Sequence, residues 1–202
     1  MLLQFLDYVG VAVFAISGAI VASRRQLDFI AFLFFATLTG IGGGTLRDLI
    51  LGVPVFWIDS EGYVLVCLGV CVAMWFFAAR VERFGKPLRW ADAVGLSAYS
   101  VMGAAKALAV GDTALVAVLM GVATATFGGI LRDTIAGEPS AITKPEIYVS
   151  AAFAGAGTYV ALAMVGVDGW GAAAAAMLLA LVLRGGAIAR GWTLPGYGSK
   201  RS

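Results

Sequence analysis

The sequence predicts an all-α membrane protein in which seven transmembrane helices form two inverted three-helix repeats plus a seventh helix. Three observations predict this. First, 61% of the 202 residues are hydrophobic and only 13% are charged, with a mean hydropathy of +0.94. Soluble domains average about 25% charged residues, so this chain lacks the polar surface for an aqueous fold. Second, apolar segments recur at about 4–23, 29–48, 62–80, 91–110, 113–132, 146–165 and 170–190. Each is close to the roughly 20 residues needed to cross a bilayer core. Third, the chain resembles itself at an offset of 85 residues, the distance from Asp7 to Asp92. Residues 1–202 therefore read as a single transmembrane domain, with repeat 1 at about 4–80, repeat 2 at about 91–165 and the seventh helix at about 170–190.

The first segment resembles a signal peptide in its apolarity. Its charges, Arg24 and Arg25, follow the apolar run, and Asp7 lies near its start. That is the reverse of the order in a cleaved leader, so the segment reads as a retained helix. The separators that follow are Arg24-Arg25, Gly52-Val53-Pro54, Arg80 to Arg89, Gly111-Asp112, Gly137-Glu138-Pro139 and Asp168-Gly169. Lys and Arg in short loops favour the cytoplasmic side. Arg24, Arg25, Arg80, Arg83, Lys86, Arg89, Arg132, Lys144, Arg190, Lys200 and Arg201 collect on one side, against Arg47 and Lys106 on the other. This places the N-terminus outside and the C-terminus in the cytoplasm.

The repeat aligns without a gap. Val9-Gly10 falls on Val94-Gly95, Gly18-Ala19 on Gly103-Ala104, Thr39 on Thr124, and Tyr63-Val64 on Tyr148-Val149. Its densest stretch sets Gly43-Gly44-Thr45-Leu46-Arg47-Asp48 on Gly128-Gly129-Ile130-Leu131-Arg132-Asp133, followed by Gly52 on Gly137 and Pro54 on Pro139. A unit of three spans reverses the chain's side, so the second copy is predicted to run inverted. Inverted repeats place solute sites near the midplane between them.

Glycine disfavours a helix interior by about 1 kcal/mol relative to alanine. Gly42, Gly43 and Gly44 in the second segment, and Gly128 and Gly129 in the fifth, therefore predict matched kinks that expose carbonyls to a cavity. Close packing of small residues is the alternative. Arg47-Asp48 and Arg132-Asp133 follow each glycine run. Neighbouring residues diverge on a helix, so each pair is expected to bond a helix end or the other repeat rather than itself. Charged gates at the mouths of a path, or interfacial anchors, are the two roles considered. Ser17, Thr39, Ser97, Tyr99, Ser100, Thr124 and Thr126 are candidate lining groups, unless their hydroxyls bond back to their own helices. Lys106 interrupts the fourth segment where the first has Val21. It either snorkels to the interface or projects into a vestibule. Arg184 is expected to pair or snorkel. Cys67 and Cys71, four residues apart, read as small apolar residues on one helix face.

There is no His. That removes the commonest metal ligand and general base, and no nucleophile motif or paired carboxylates in one span suggest an enzyme. The net charge of +2 does not suggest a nucleic-acid partner. No metal site or cofactor is expected apart from a permeating monovalent cation. The absence of a strong acidic cluster at mid-membrane argues against ion-coupled transport.

The doubled Gly-Gly-x-Leu-Arg-Asp motif at 43–48 and 128–133, the Gly-x-Pro turns at 52–54 and 137–139, and Phe14-Ala-Ile-Ser-Gly-Ala19 resemble the prokaryotic trimeric intracellular cation (TRIC) channel family. The resemblance covers nearly the whole chain. It implies a homotrimer in a bacterial or archaeal cell membrane, embedded in lipid. It further implies one wet pore per protomer, lined by the first, second, fourth and fifth segments, that conducts potassium above other monovalent cations. Gly42, Gly43, Gly44, Gly128 and Gly129 would be the kink positions, with Arg47, Asp48, Arg132 and Asp133 near the mouths. Phe127 replaces the first glycine of the triplet in the second copy and is expected to narrow the path. The basic lipid-sensing motif of animal relatives is not visible, so phosphoinositide regulation is not implied. A carrier of glycine or other small neutral amino acids is the alternative function.

Overall fold

Matching residues set the ends of matching helices in the two halves of the chain. The computed structural model describes residues 2–167 and 169–195, so Asp168, Lys200 and Arg201 lie outside the described residues. Eight α-helices occur among the described residues: α1 (Leu2–Arg24), α2 (Phe29–Ile50), α3 (Phe56–Asp59), α4 (Gly62–Val81), α5 (Pro87–Ala109), α6 (Ala114–Ile135), α7 (Val149–Met164) and α8 (Gly169–Arg190). Asp28 caps α2 by accepting from the Ala31 amide at 2.8 Å, and Thr113 caps α6 by accepting from Val116 at 3.4 Å. Each side chain satisfies one of the free amides of a first turn. At the other end, Gly52 and Gly137 adopt φ of +66° and +64°. The amides of Val53 and Glu138 then reach back to the carbonyls of Asp48 and Asp133. This is the glycine-terminated helix end that reuses orphan carbonyls, and Pro54 and Pro139 prevent the helices from resuming.

Among the described residues, five helices are long and apolar enough to cross a membrane: Gln4–Arg24, Phe29–Ile50, Gly62–Phe84, Ala114–Ile135 and Gly169–Arg190. Two predicted segments differ from that standard. α5 is long enough, with 23 residues, but carries Asp92, three serine and tyrosine hydroxyls and Lys106 on a mostly buried surface. It is a core helix, and its polar groups have protein partners rather than lipid. α7 is apolar but has only 16 residues, about 24 Å at 1.5 Å per residue. The short α3 was not expected. It follows the Pro54 turn and tucks Phe56 inside.

α1 and α5 form the centre. α1 packs on α2, α4 and α5, while α5 packs on α1, α6, α7 and α8, and α2 crosses α6. The outer faces of α4 and α8 expose large apolar side chains, among them Leu65, Phe76, Trp170 and Leu178. Such a surface suits lipid rather than water. Cys67 and Cys71 are both buried against the core as free thiols.

Candidate functional site

The glycine runs bring α2 and α6 together. Both helices continue without interruption through Gly42–Gly44 and Gly128–Gly129. A Cβ on Gly43 would collide with the Thr124 carbonyl, and one on Gly128 with the Thr39 carbonyl. Each helix thus presents a bare backbone to the other. The glycines act here through close approach, and the carbonyls expected to open onto a cavity stay within the helices. Gly42 is looser, with the tip of Leu131 at 3.2 Å and the Gly128 backbone at 4.0 Å, while Gly44 faces Phe56 and Gly129 faces the Tyr148 hydroxyl.

At the ends of α2 and α6 the chain buries two charged clusters. In the first, Arg47 donates from Nε to Asp48 Oδ1 at 2.6 Å and from Nη1 to Asp7 Oδ1 at 3.3 Å, and also to Met102 Sδ. Asp48 Oδ1 pairs with Lys106 Nζ at 2.8 Å, and its Oδ2 accepts the Phe56 amide at 2.9 Å. The Arg47 guanidinium lies over the Phe56 ring, 5.5 Å from its centroid. Phe56 meets Tyr63 edge-on, and Tyr63 stacks on Tyr8. Arg47 and Asp48 are both fully buried.

In the second cluster Arg132 holds Asp92 with both terminal nitrogens, at 2.6 and 2.9 Å. Its Nε and Nη2 also donate to Asp133 Oδ1, and Nη1 donates to Ser17 Oγ at 2.8 Å. This cluster floors a cavity of about 310 Å³ lined by Arg24, Lys86, Arg89, Lys144, Glu138 and Glu146 among others. Arg184 pairs with Glu146 at 2.9 Å beside it and lies over the Tyr148 ring.

The clusters correct several expectations. Each Arg does bond its neighbouring Asp, because the long guanidinium stem folds back across the turn between adjacent positions. Each also reaches the other repeat, through Met102 and Ser17. Neither pair is an interfacial anchor, since both arginines are buried. Lys106 neither snorkels nor hangs in a vestibule. It is an ion-pair partner of Asp48, with its side chain 20% exposed.

The hydroxyls resolve in favour of the helix backbone. Ser17, Thr39, Ser97, Ser100, Thr124 and Thr126 donate to the carbonyls of Phe14, Phe35, Val94, Ser97, Met120 and Val122, respectively. Tyr99 instead crosses to the Gly40 carbonyl at 3.1 Å. Only Ser17 also takes part in a charged cluster. Phe127 lies in an outward apolar groove with Phe34, Ile41, Trp57 and Leu131. Five residues separate it from Arg132, which turns it about 140° away on the helix, so it does not narrow the space between the clusters. Asp7 and Asp92 were missed as site residues. Their signal was present, as identical carboxylates in matched apolar runs.

The chain is 45% identical to a TRIC channel orthologue from Rhodobacter sphaeroides, covering 94% of this chain and 98% of that one, with a TM-score of 0.91. This chain belongs to the prokaryotic TRIC channel family. The family profile described as "Glycine transporter" matches it twice, at residues 4–79 and 89–164, again 85 residues apart. Among curated relatives, a UPF0126 membrane protein of Vibrio cholerae is 36% identical over 97% of this chain and 83% of its own length. The UPF0126 inner membrane protein YadS of Escherichia coli K12 is 38% identical over 77% of this chain and 76% of its own.

Proposed function

We propose that this chain is the pore-forming subunit of a monovalent cation channel, with potassium the main permeant ion, one pore per protomer and a homotrimeric assembly. The carrying observation is the pair of matched clusters, Asp7–Arg47–Asp48 and Asp92–Arg132–Asp133. They meet α1 at Asp7 and Ser17, ten residues and about 15 Å apart along its axis. Charges this deep in a membrane protein mark solute paths. The path runs between α1, α2, α5 and α6, with a gate of paired charges at each mouth. Bending of α2 and α6 at Gly42–Gly44 and Gly128–Gly129 would part the clusters.

In this reading the chain spans the membrane seven times as inverted repeats. The twofold profile match supports the duplication. Antiparallel packing of α1 on α5, with Gly10 against Tyr99 and Gly95 against Phe14, supports the inversion. The protein sits in the inner membrane with its N-terminus outside and the Arg132 end in the cytoplasm, supported by the basic residues gathered there.

The alternative is a carrier of glycine or another small neutral amino acid. The family description favours it, and so does the contrast between a closed Arg47 end and an open Arg132 end, which suits alternating access. Flux into proteoliposomes separates the two. Passive, electrogenic potassium flux that does not saturate is expected. Saturable glycine exchange without potassium current would sink the channel reading.

A further inference from the structure

We infer that the cavity at the Arg132 end is a binding site for a small dianionic oxyanion of the phosphate class, held by Lys86 and Lys144. The cavity is lined by Arg24, Lys86, Arg89, Arg132, Lys144 and Arg184 against Asp92, Asp133, Glu138 and Glu146, a formal excess of two positive charges. The arginines are engaged: Arg24 with Glu82, Arg89 and Arg184 with Glu146, and Arg132 with both aspartates. Among the described residues Lys86 and Lys144 meet no carboxylate. Lys86 touches only the Ile188 carbonyl, at 3.4 Å. The two lysines, both exposed at the rim, thus carry the uncompensated charge of an open cavity, and a dianion matches it. Arg184, 2% exposed on the same wall, also keeps its Nε–H without an acceptor. The volume of about 310 Å³ equals that of about ten waters at about 30 Å³ each, which accommodates pyrophosphate.

The site has a consequence that rests on the channel reading. A mouth with excess positive charge lowers the local concentration of cations, and fields of this kind change entry rates by tenfold or more. A bound dianion cancels the excess and raises potassium flux entering from that side, by about threefold at physiological screening.

The phosphate group can come from solution or from a lipid headgroup, and two nanodisc arms distinguish them. The intact protein in phosphatidylcholine nanodiscs is titrated by calorimetry with inorganic pyrophosphate under mildly acidic conditions, where pyrophosphate is mainly a dianion, and again in discs containing phosphatidylglycerol. Saturable binding in the first arm is expected, weakened at least tenfold by the double variant Lys86→Gln/Lys144→Gln. Equal affinity in both arms assigns the site to a soluble ligand, and weaker binding in the second assigns it to the headgroup. Both lysines are exposed, so the variant is expected to melt within a few degrees of the parent. A control, Arg80→Gln/Arg83→Gln, removes the same charge elsewhere and should leave affinity unchanged. No binding, or equal loss in both double variants, overturns the site. Flux that falls or stays constant on adding pyrophosphate overturns the neutralisation. Protein that binds pyrophosphate through these lysines but passes no potassium would remove the channel reading and leave the site standing.

Discussion

The two ends of the bundle carry the same three residues and differ by a fourth. At the Arg47 end, Asp7, Asp48, Arg47 and Lys106 form a neutral quartet. At the Arg132 end, Asp92, Asp133 and Arg132 keep a net charge of −1, because the position matching Lys106 holds the buried Val21. A neutral cluster tolerates the loss of water even with Arg47 Nη2 left without an acceptor among the described residues, whereas an unbalanced one stays costly unless wet. The first is capped by Phe56, Tyr63 and Tyr8, and the second opens on a cavity lined by charge. The end that holds the additional lysine is thus the closed one.

The sharpest test compares Arg47→Ala with Arg132→Ala. Removing Arg47 strands Asp7 in a dry site and should cost about 3–5 kcal/mol. Removing Arg132 leaves carboxylates that water can reach, and about 2 kcal/mol is expected. Denaturant unfolding in detergent measures both, and equal costs would break the contrast between dry and wet ends. Where the halves are alike, effects should match. Gly43→Ala and Gly128→Ala each drive a methyl into a carbonyl and should each cost about 1–3 kcal/mol, while Gly42→Ala, facing a flexible leucine tip, should cost less than either. A large difference between Gly43 and Gly128 would show that the α2–α6 crossing is not shared evenly. Lys106→Val gives the Arg47 end the composition of the other. On the channel reading proposed above, potassium flux is expected to rise about fivefold, equivalent to about 1 kcal/mol off the barrier; unchanged flux means that Lys106 does not hold that end shut. The smallest effects belong to the caps. Asp28→Ala should lower stability by about 1 kcal/mol, and Thr113→Ala by about 0.5 kcal/mol because its bond is longer. A reversal in melting temperature would count against the cap geometry.

The duplicated motif, the segment positions and the Arg-Asp pairs were legible because they are local or periodic. The Gly-x-Pro turns were legible for the same reason: their geometry depends on a few consecutive residues. The partners of those charges were not. Asp7 and Asp92 show only as matched positions, and nothing local says that each lies against an arginine 40 residues on. The role of Gly43 and Gly128 was undetermined, since a bend and a close approach require the same residue. Lys106 illustrates the limit most plainly. Its intrusion into an apolar run was visible, but its partner lies on another helix, and only packing brings Asp48 within 2.8 Å.

The reciprocal contacts between the halves carry a consequence for biosynthesis. Asp48 precedes Lys106 by 58 residues, which at 5–20 residues per second takes the ribosome about 3–12 s to make. During that interval α1 and α2 together already hold Arg47 and both aspartates, one positive charge short. The first half therefore enters the bilayer electrically incomplete and becomes neutral only when α5 arrives. A chaperone or insertase that shelters the unfinished bundle would have its window there, and a pause in translation between α4 and α5 would lengthen the exposure of that unbalanced charge.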